Sequence, residues 1–179
     1  MGGLQQKWAR FKDRLTGTRY PASDVAPLSA TEVRAALLAI NGPDTPFRVR
    51  NALPAEKADL VAEWQVLEPA WGSGLSRRQV ELTFRTRMRL DPAKHEVRVC
   101  DELREVTRAG NPPGRVVSRR RGRGPRIHKV SWRGHYERGP DGHKHKVETF
   151  RFDSWDMRNP LQKIVLGSGW TWRGVLSKV

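Results

Sequence analysis

The chain has 179 residues, with 34 lysines and arginines against 19 acidic residues, a formal net charge of +15 and a mean hydropathy of −0.70. This length suits one domain with a real core, and the single cysteine excludes an internal disulfide and a cysteine-rich zinc site. No apolar run approaches the roughly 20 residues of a membrane span, and Trp8 to Leu15 lacks the continuous apolar stretch of a secretory signal. The charge predicts an anionic partner, nucleic acid or lipid, and the cysteine content suits a cytoplasmic protein.

The first residues have the pattern of a basic amphipathic helix. Its apolar residues recur at helical spacing, and they are Leu4, Trp8, Phe11 and Leu15. Lys7, Arg10 and Arg14 occupy the other faces. Such a helix either docks its apolar face on its own domain or presents that face to a membrane surface or a partner groove. We therefore divide the chain into a helix and linker, residues 1–28, and a single α+β domain, residues 29–179.

Two helices are predicted within that domain. Ser29 and Glu32 form a capping box, and Asn41-Gly42-Pro43 ends the helix, which places it near residues 30–40. Asn159-Pro160 predicts the start of the other helix, with proline at its first position, over residues 160–166. Both are expected to cover a sheet.

The remaining elements show the period-two pattern of strands. Segments of this kind are Phe47–Val49, Leu60–Leu67, Val80–Leu90, Glu96–Cys100, Leu103–Thr107 and Trp170–Leu176. In the clearest one, Val80, Leu82, Phe84, Met88 and Leu90 face one side, while the arginines at 85, 87 and 89 face the other. The turn at Asp91–Lys94 makes an antiparallel hairpin. We expect the tryptophans at 170 and 172 to pack in the core. Cys100, on the Arg98 side of its strand, is expected to be an incidental thiol with some exposure.

The positive charge is concentrated in a basic segment, residues 115–146, which holds eleven basic and two acidic side chains. By contrast, residues 21–114 hold 13 of each sign. The pattern predicts two hairpins here, one with its tip in the arginine-glycine stretch Arg119–Arg126 and one at Gly139–Gly142. Arginine forks match phosphate, and aromatic rings stack on bases, so this segment supplies the candidate binding residues. They are Arg119, Arg120, Arg121, Arg123, Arg126, Lys129, Trp132, Arg133, Tyr136, Lys144 and Lys146.

These elements together predict an α+β fold. A strongly twisted, mainly antiparallel sheet of six to eight strands, open or partly closed into a barrel, spans about residues 46–179. Two packing helices cover it, and the basic amphipathic helix precedes it.

Three stretches carry a resemblance: Leu60–Trp64, Leu90–Arg98 and Gly169–Val175, the last with the sequence GWTWRGV. Over roughly residues 45–179 the chain resembles a family of uncharacterised bacterial proteins from high-GC genomes. The resemblance implies a β-rich domain and carries no site residue, and the Arg119–Arg126 stretch is not part of it.

Three functions remain open at this point. The leading hypothesis is a non-enzymatic module that binds nucleic acid through phosphate contacts. The second is a peripheral protein at anionic membrane surfaces. The third is a small nuclease built on His135, Glu137 and His143, although no catalytic motif selects these residues. His143 and His145 have metal-ligand spacing, with His135 or Asp141 as further candidates, but we interpret them as polar hairpin residues. We assign no catalytic residue, metal or cofactor.

Overall fold

The structure is a computed structural model that describes residues 2–140 and 142–176, with the backbone alone for residues 2–6, 9, 10 and 146. Its α-helices are α1 (Gly2–Thr16), α2 (Ala30–Leu38) and α3 (Trp155–Gly167). Its strands are β1 (Arg48–Asn51), β2 (Leu60–Leu67), β3 (Arg78–Asp91), β4 (Glu96–Ala109), β5 (Arg115–Gly124), β6 (Val130–Arg138), β7 (Lys144–Asp153) and β8 (Thr171–Gly174). This confirms the predicted α+β class.

The strands form two sheets. In the larger one, neighbours from β1 to β5 pair in sequence order and antiparallel, and β8 joins the edge of β4 in parallel. The long strand β4 therefore has two neighbours on one side: β8 pairs with Glu96–Val99 and β5 pairs with Asp101–Ala109. β6 and β7 form a separate antiparallel hairpin. The larger sheet is open and does not close into a barrel.

The core lies on one face of the larger sheet, which we call the core face. Along β3, Leu82, Phe84 and Met88 are buried there, and the arginines at 85, 87 and 89 point to the opposite, outer face, as predicted. Phe152 at the end of β7 fixes the hairpin on the core face. Its ring centroid lies 4.8 Å from that of Trp64 and 6.5 Å from that of Phe84.

The helices α2 and α3 cover the core face. The predicted capping box is present at Ser29, whose Oγ accepts from the Glu32 amide at 3.3 Å and whose own amide donates to Glu32 at 2.8 Å. The predicted start of α3 at Pro160 is wrong, because the helix begins at Trp155 and contains Pro160 in its second turn. Asp153 accepts from the Trp155 amide at 2.9 Å, and Met157 in the first turn is completely buried. These contacts stabilise a turn that the proline pattern did not show.

The strand pattern around β4 also differs from the prediction. Glu96–Cys100 and Leu103–Thr107 are parts of one continuous strand. The next turn lies at residues 110–114, so the arginine-glycine stretch is a strand up to Gly124 and not a hairpin tip. The last strand is shorter than predicted, but Trp170 and Trp172 are completely buried, as expected.

A buried ion pair joins β4 to α3. Asp101 is completely buried and accepts from Thr86 Oγ1 at 2.8 Å and from the Ile127 amide at 3.1 Å. Its remaining partner is the guanidinium of Arg158, which is itself 4 % exposed. The second terminal nitrogen of Arg158 donates to the Pro125 carbonyl at 3.0 Å. The charge of Arg158 is thus balanced inside the protein.

The amphipathic helix α1 is present, but the described part of its apolar face does not dock on the domain. Trp8, Phe11 and Leu15 are 66 %, 55 % and 62 % exposed. Only the end of α1 is tied down. There the Thr16 carbonyl lies so close to Gly174 of β8 that a Cβ on this glycine would be 1.8 Å away. Leu4 belongs to the same predicted stripe, but its side chain is not among those described.

Candidate nucleic-acid interface

The arginine-glycine stretch occupies β5, which pairs with β4 alone among the described strands. The register places Arg119, Arg121 and Arg123 opposite Val106, Arg104 and Glu102. These β4 residues lie on the outer face, since Val97 and Val99 of the same strand alternate with them and face the core. Three arginines of the stretch therefore share the outer face, and Arg120 points to the other side. The arginine-rich sequence can form a strand because these three side chains remain exposed to solvent on the outer face.

Two of these arginines line an open groove of about 460 Å³ on the outer face. Its walls come from β3, β4 and β5, which contribute Thr83, Arg85, Glu102, Leu103, Arg104, Arg121, Gly122 and Arg123. We call this the arginine groove. Cross-strand pairing sets its two rows, Thr83–Arg104–Arg121 and Arg85–Glu102–Arg123. Among the described residues, four arginines and one glutamate line it.

The two rows differ in their electrostatic balance. Arg85 is paired with Glu63, and Glu102 lies 3.4 Å from Arg123 and 2.9 Å from Arg87. By contrast, Arg104 and Arg121 form no ion pair within residues 2–140 and 142–176, although they sit directly opposite each other. Like charges in directly opposed positions destabilise a sheet. An anion placed between these two guanidiniums would relieve that repulsion and accept hydrogen bonds from both.

The β6–β7 hairpin, with Lys129 directly before it, carries most of the other predicted residues and packs on the opposite side of the sheet. Lys129 pairs with Glu105 at 2.9 Å, and Arg133 pairs with the buried Glu68 at 2.8 Å. The Arg133 guanidinium also lies 4.2 Å from the centroid of the Trp71 ring. Both cations therefore anchor the hairpin to the sheet.

Other predicted residues lie on exposed parts of this hairpin. Trp132 and Tyr136 share one face and are 36 % and 69 % exposed. Lys144 is exposed at the start of β7. The side chain of Lys146 lies outside the described residues. Because the base of the hairpin packs on the core face, most of the predicted residues lie on two separate surfaces.

Arg126 belongs to neither surface. Its guanidinium lies over the Trp155 ring, 5.2 Å from the centroid, beside a small pocket near α3. Arg85 and Arg104, which complete the groove, were absent from the predicted set. The sequence does show arginines at alternate positions along β3 and β4. This alternation does not reveal that β5 lies next to these strands, so it did not identify Arg85 and Arg104.

The histidine and cysteine candidates do not come together in a metal site in the described part of the chain. His135 Nε2 lies 2.6 Å from Glu137 Oε1 on an exposed part of β6. No group of three or more histidine, cysteine, aspartate or glutamate side chains in the described part of the chain could hold a metal ion. Asp141 lies outside the described residues. The prediction that Cys100 has some exposure is wrong, because this residue is completely buried, and burial raises the pKa of its thiol.

Comparison of the chain with protein-family models, with curated proteins and with solved structures finds no match. Within the described residues, no helix is both long and apolar enough to cross a membrane.

Proposed function

We propose that the protein is a non-enzymatic module that binds nucleic acid through its phosphates at the arginine groove. The observation that carries this proposal is the opposed pair Arg104 and Arg121, which lack a carboxylate partner among the described residues. Each guanidinium offers a planar fork of donors that matches phosphate oxygens. Net charge, with a formal value of +15, attracts the same partner from a distance.

The geometry favours repeated phosphate contacts. Alternate residues along a strand are about 6.7 Å apart and neighbouring strands about 4.8 Å apart, so arginines on β4 and β5 form a two-dimensional array of donors. Arg119 extends that array beyond the groove. The lining contains no aromatic ring among the described residues, so stacking on bases contributes little there. We therefore expect binding with weak sequence preference. A cytoplasmic location, where nucleic acid is abundant, is part of the same proposal.

The test is fluorescence anisotropy of labelled single-stranded RNA, single-stranded DNA and duplex DNA at several salt concentrations. In the double variant Arg104→Gln/Arg121→Gln we expect weaker affinity. We also expect the slope of log affinity against log salt to fall by about 1.4 for single strands, since each lost contact contributes about 0.7. The matched control is Arg115→Gln/Arg138→Gln, which removes the same charge from exposed sites outside the groove. Equal losses in both variants would overturn the groove as the site.

A second function, attachment to an anionic membrane surface, is favoured by the exposed face of α1. Trp8, Phe11 and Leu15 form an apolar stripe, and the exposed Lys7, Lys12 and Arg14 lie beside it. A helix of this kind lies in the bilayer interface, with its aromatic rings in the headgroup region and its cations near anionic lipids. Charge complementarity therefore selects an anionic bilayer over a neutral one.

Sedimentation with vesicles of phosphatidylserine and phosphatidylcholine tests this second function. We expect the protein to sediment with these vesicles and much less with pure phosphatidylcholine. The variant Trp8→Ala/Phe11→Ala should lose most of that binding, while Arg104→Gln/Arg121→Gln should keep it. Sedimentation that is unchanged in the helix variant would remove α1 from any membrane role.

A further inference from the structure

A second cationic site lies apart from the arginine groove, between the turn that follows α1 and the first turns of α3. It is a pocket of about 100 Å³, and its lining residues are Gly17, Arg19, Arg126, Trp155, Arg158, Asn159 and Gln162. We call it the Arg158 pocket. Elements distant in sequence meet here because Arg158 bonds to Asp101 and to the Pro125 carbonyl, which holds Arg126 beside α3.

The pocket carries two positive charges that the protein does not balance. Arg158 is compensated by Asp101. Arg19 and Arg126 have no carboxylate partner among the described residues, and no described carboxylate lines the pocket. The three guanidiniums act on one another, since Arg126 and Arg19 add to burial in lowering the pKa of Arg158. Such convergence of arginines is costly unless an anion joins them.

Neutral donors and tight walls complete the site. The Trp155 ring lies in the lining, with the Arg126 guanidinium over it. Asn159 and Gln162 add side-chain amides to the lining. Gly17 has a positive φ of 65°, and a Cβ there would lie 3.1 Å from Arg126 and 3.2 Å from Arg158. A side chain at this position would crowd the alkyl stem of Arg126 and the guanidinium of Arg158, so the glycine keeps the pocket open.

We propose that the Arg158 pocket binds a single phosphate group. Its volume fits one tetrahedral oxyanion but not a nucleoside, and a phosphate dianion balances the charges of Arg19 and Arg126. Planar guanidiniums can share its oxygens, and the amides of Asn159 and Gln162 can donate to it. This site goes beyond the proposed function, because the groove follows a phosphate backbone whereas the pocket takes one phosphate, either free or at the end of a strand.

Isothermal titration with inorganic phosphate tests the site directly. We expect saturable binding that strengthens as pH rises through neutrality, where inorganic phosphate becomes a dianion. Arg126→Gln and Arg19→Gln should each weaken it by about tenfold or more, since each removes a charge-assisted contact. Both residues are exposed, so these variants preserve the buried Asp101–Arg158 pair. The control Arg115→Gln removes an exposed charge elsewhere and should bind phosphate normally.

A second arm distinguishes the two sources of phosphate. It measures the binding of one short oligonucleotide in two forms, one that carries a 5′-phosphate and one that ends in a 5′-hydroxyl. Tighter binding of the phosphorylated form, lost in Arg126→Gln, identifies a terminal phosphate. Equal binding of the two forms together with saturable inorganic phosphate identifies the free ion.

The proposal is overturned if inorganic phosphate shows no saturable binding and the 5′-phosphate does not strengthen binding of the oligonucleotide. It is also overturned if Arg115→Gln weakens phosphate binding as much as Arg126→Gln does. Failure of the groove is a separate result, because Arg104→Gln/Arg121→Gln should leave the titration with inorganic phosphate unchanged.

Discussion

Two sets of arginines beside the larger sheet have opposite environments. On the core side, Arg158 and Arg133 reach carboxylates that are 0 % and 2 % exposed, Asp101 and Glu68. On the outer face, Arg104 and Arg121 oppose each other with no described carboxylate in contact. Arg158 and Arg133 therefore hold elements together. The Arg104–Arg121 pair instead presents uncompensated charge, although neighbouring arginines of the outer face are paired with glutamates. The total charge of the protein does not show which arginines are structural and which are left without a partner. The positions of the buried carboxylates do.

The largest expected effect is on the core side. Asp101→Asn should lower the free energy of unfolding by about 3–5 kcal/mol, because it leaves the buried Arg158 charge without its counter-ion. Urea denaturation measures this loss. The double variant Asp101→Asn/Arg158→Met removes the uncompensated charge and should recover part of it. A loss below about 1 kcal/mol in the single variant would contradict the structural role of the pair.

An intermediate effect is expected for Arg50 and Glu56, a bidentate pair with N–O distances of 2.7 Å and 2.8 Å. The hydrogen bond from Arg50 lowers the pKa of Glu56 from 4.5 to about 2. Since the folded-state pKa lies below the unfolded value, the pair stabilises the protein above about pH 4.5, and this stabilisation disappears as pH falls towards 2. Glu56→Gln should therefore cost about 1–3 kcal/mol at neutral pH and progressively less in acid.

Urea denaturation at several pH values between 2 and 7 measures this dependence. Glu148→Gln, at an exposed position on β7, is the control and should show no such trend. A cost for Glu56→Gln that stays constant across the range would show that the ion pair does not contribute.

The smallest expected effect, opposite in sign, is on the outer face. Arg104→Gln should raise the free energy of unfolding by about 0.2–1 kcal/mol, because it removes a like charge directly opposite Arg121. Thermal unfolding at low salt measures the gain, which should shrink as salt screens the repulsion. Arg85→Gln is the comparison on the same face. It breaks the pair with Glu63 and should not stabilise the protein. Destabilisation by Arg104→Gln would show that this arginine has a structural role.

The sequence predicted the elements whose signals are local. The capping box at Ser29 and the alternation of residues 80–90 each lie within one element, and the structure confirms both. The start of α3 was missed because part of what holds its first turn is distant in sequence: Arg158 bonds to Asp101, 57 positions away. The periodicity of α1 predicts an apolar face, but it is equally compatible with a docked face and with an exposed one. The sequence therefore did not show which of the two the helix adopts.

The candidate site was predictable only in part. The sequence identified Arg121 and Arg123, but their groove also needs Arg85 and Arg104, which pairing brings alongside them. The sequence could not show that Arg133 pairs with Glu68, because this glutamate lies 65 positions away and is buried. A run of positive charge shows where cations are, whereas the register of the sheet decides which of them remain without a partner.

The position of β5 has one more consequence, for the behaviour of the protein at high concentration. Strand β5 leaves one side of its backbone without a described strand partner, and such an edge invites pairing with another copy. Two copies of β5 meeting edge to edge would bring their arginines together, and Pro125, which directly follows the strand, cannot donate a ladder hydrogen bond. We therefore expect the arginine-glycine stretch to oppose edge-to-edge association of the folded protein.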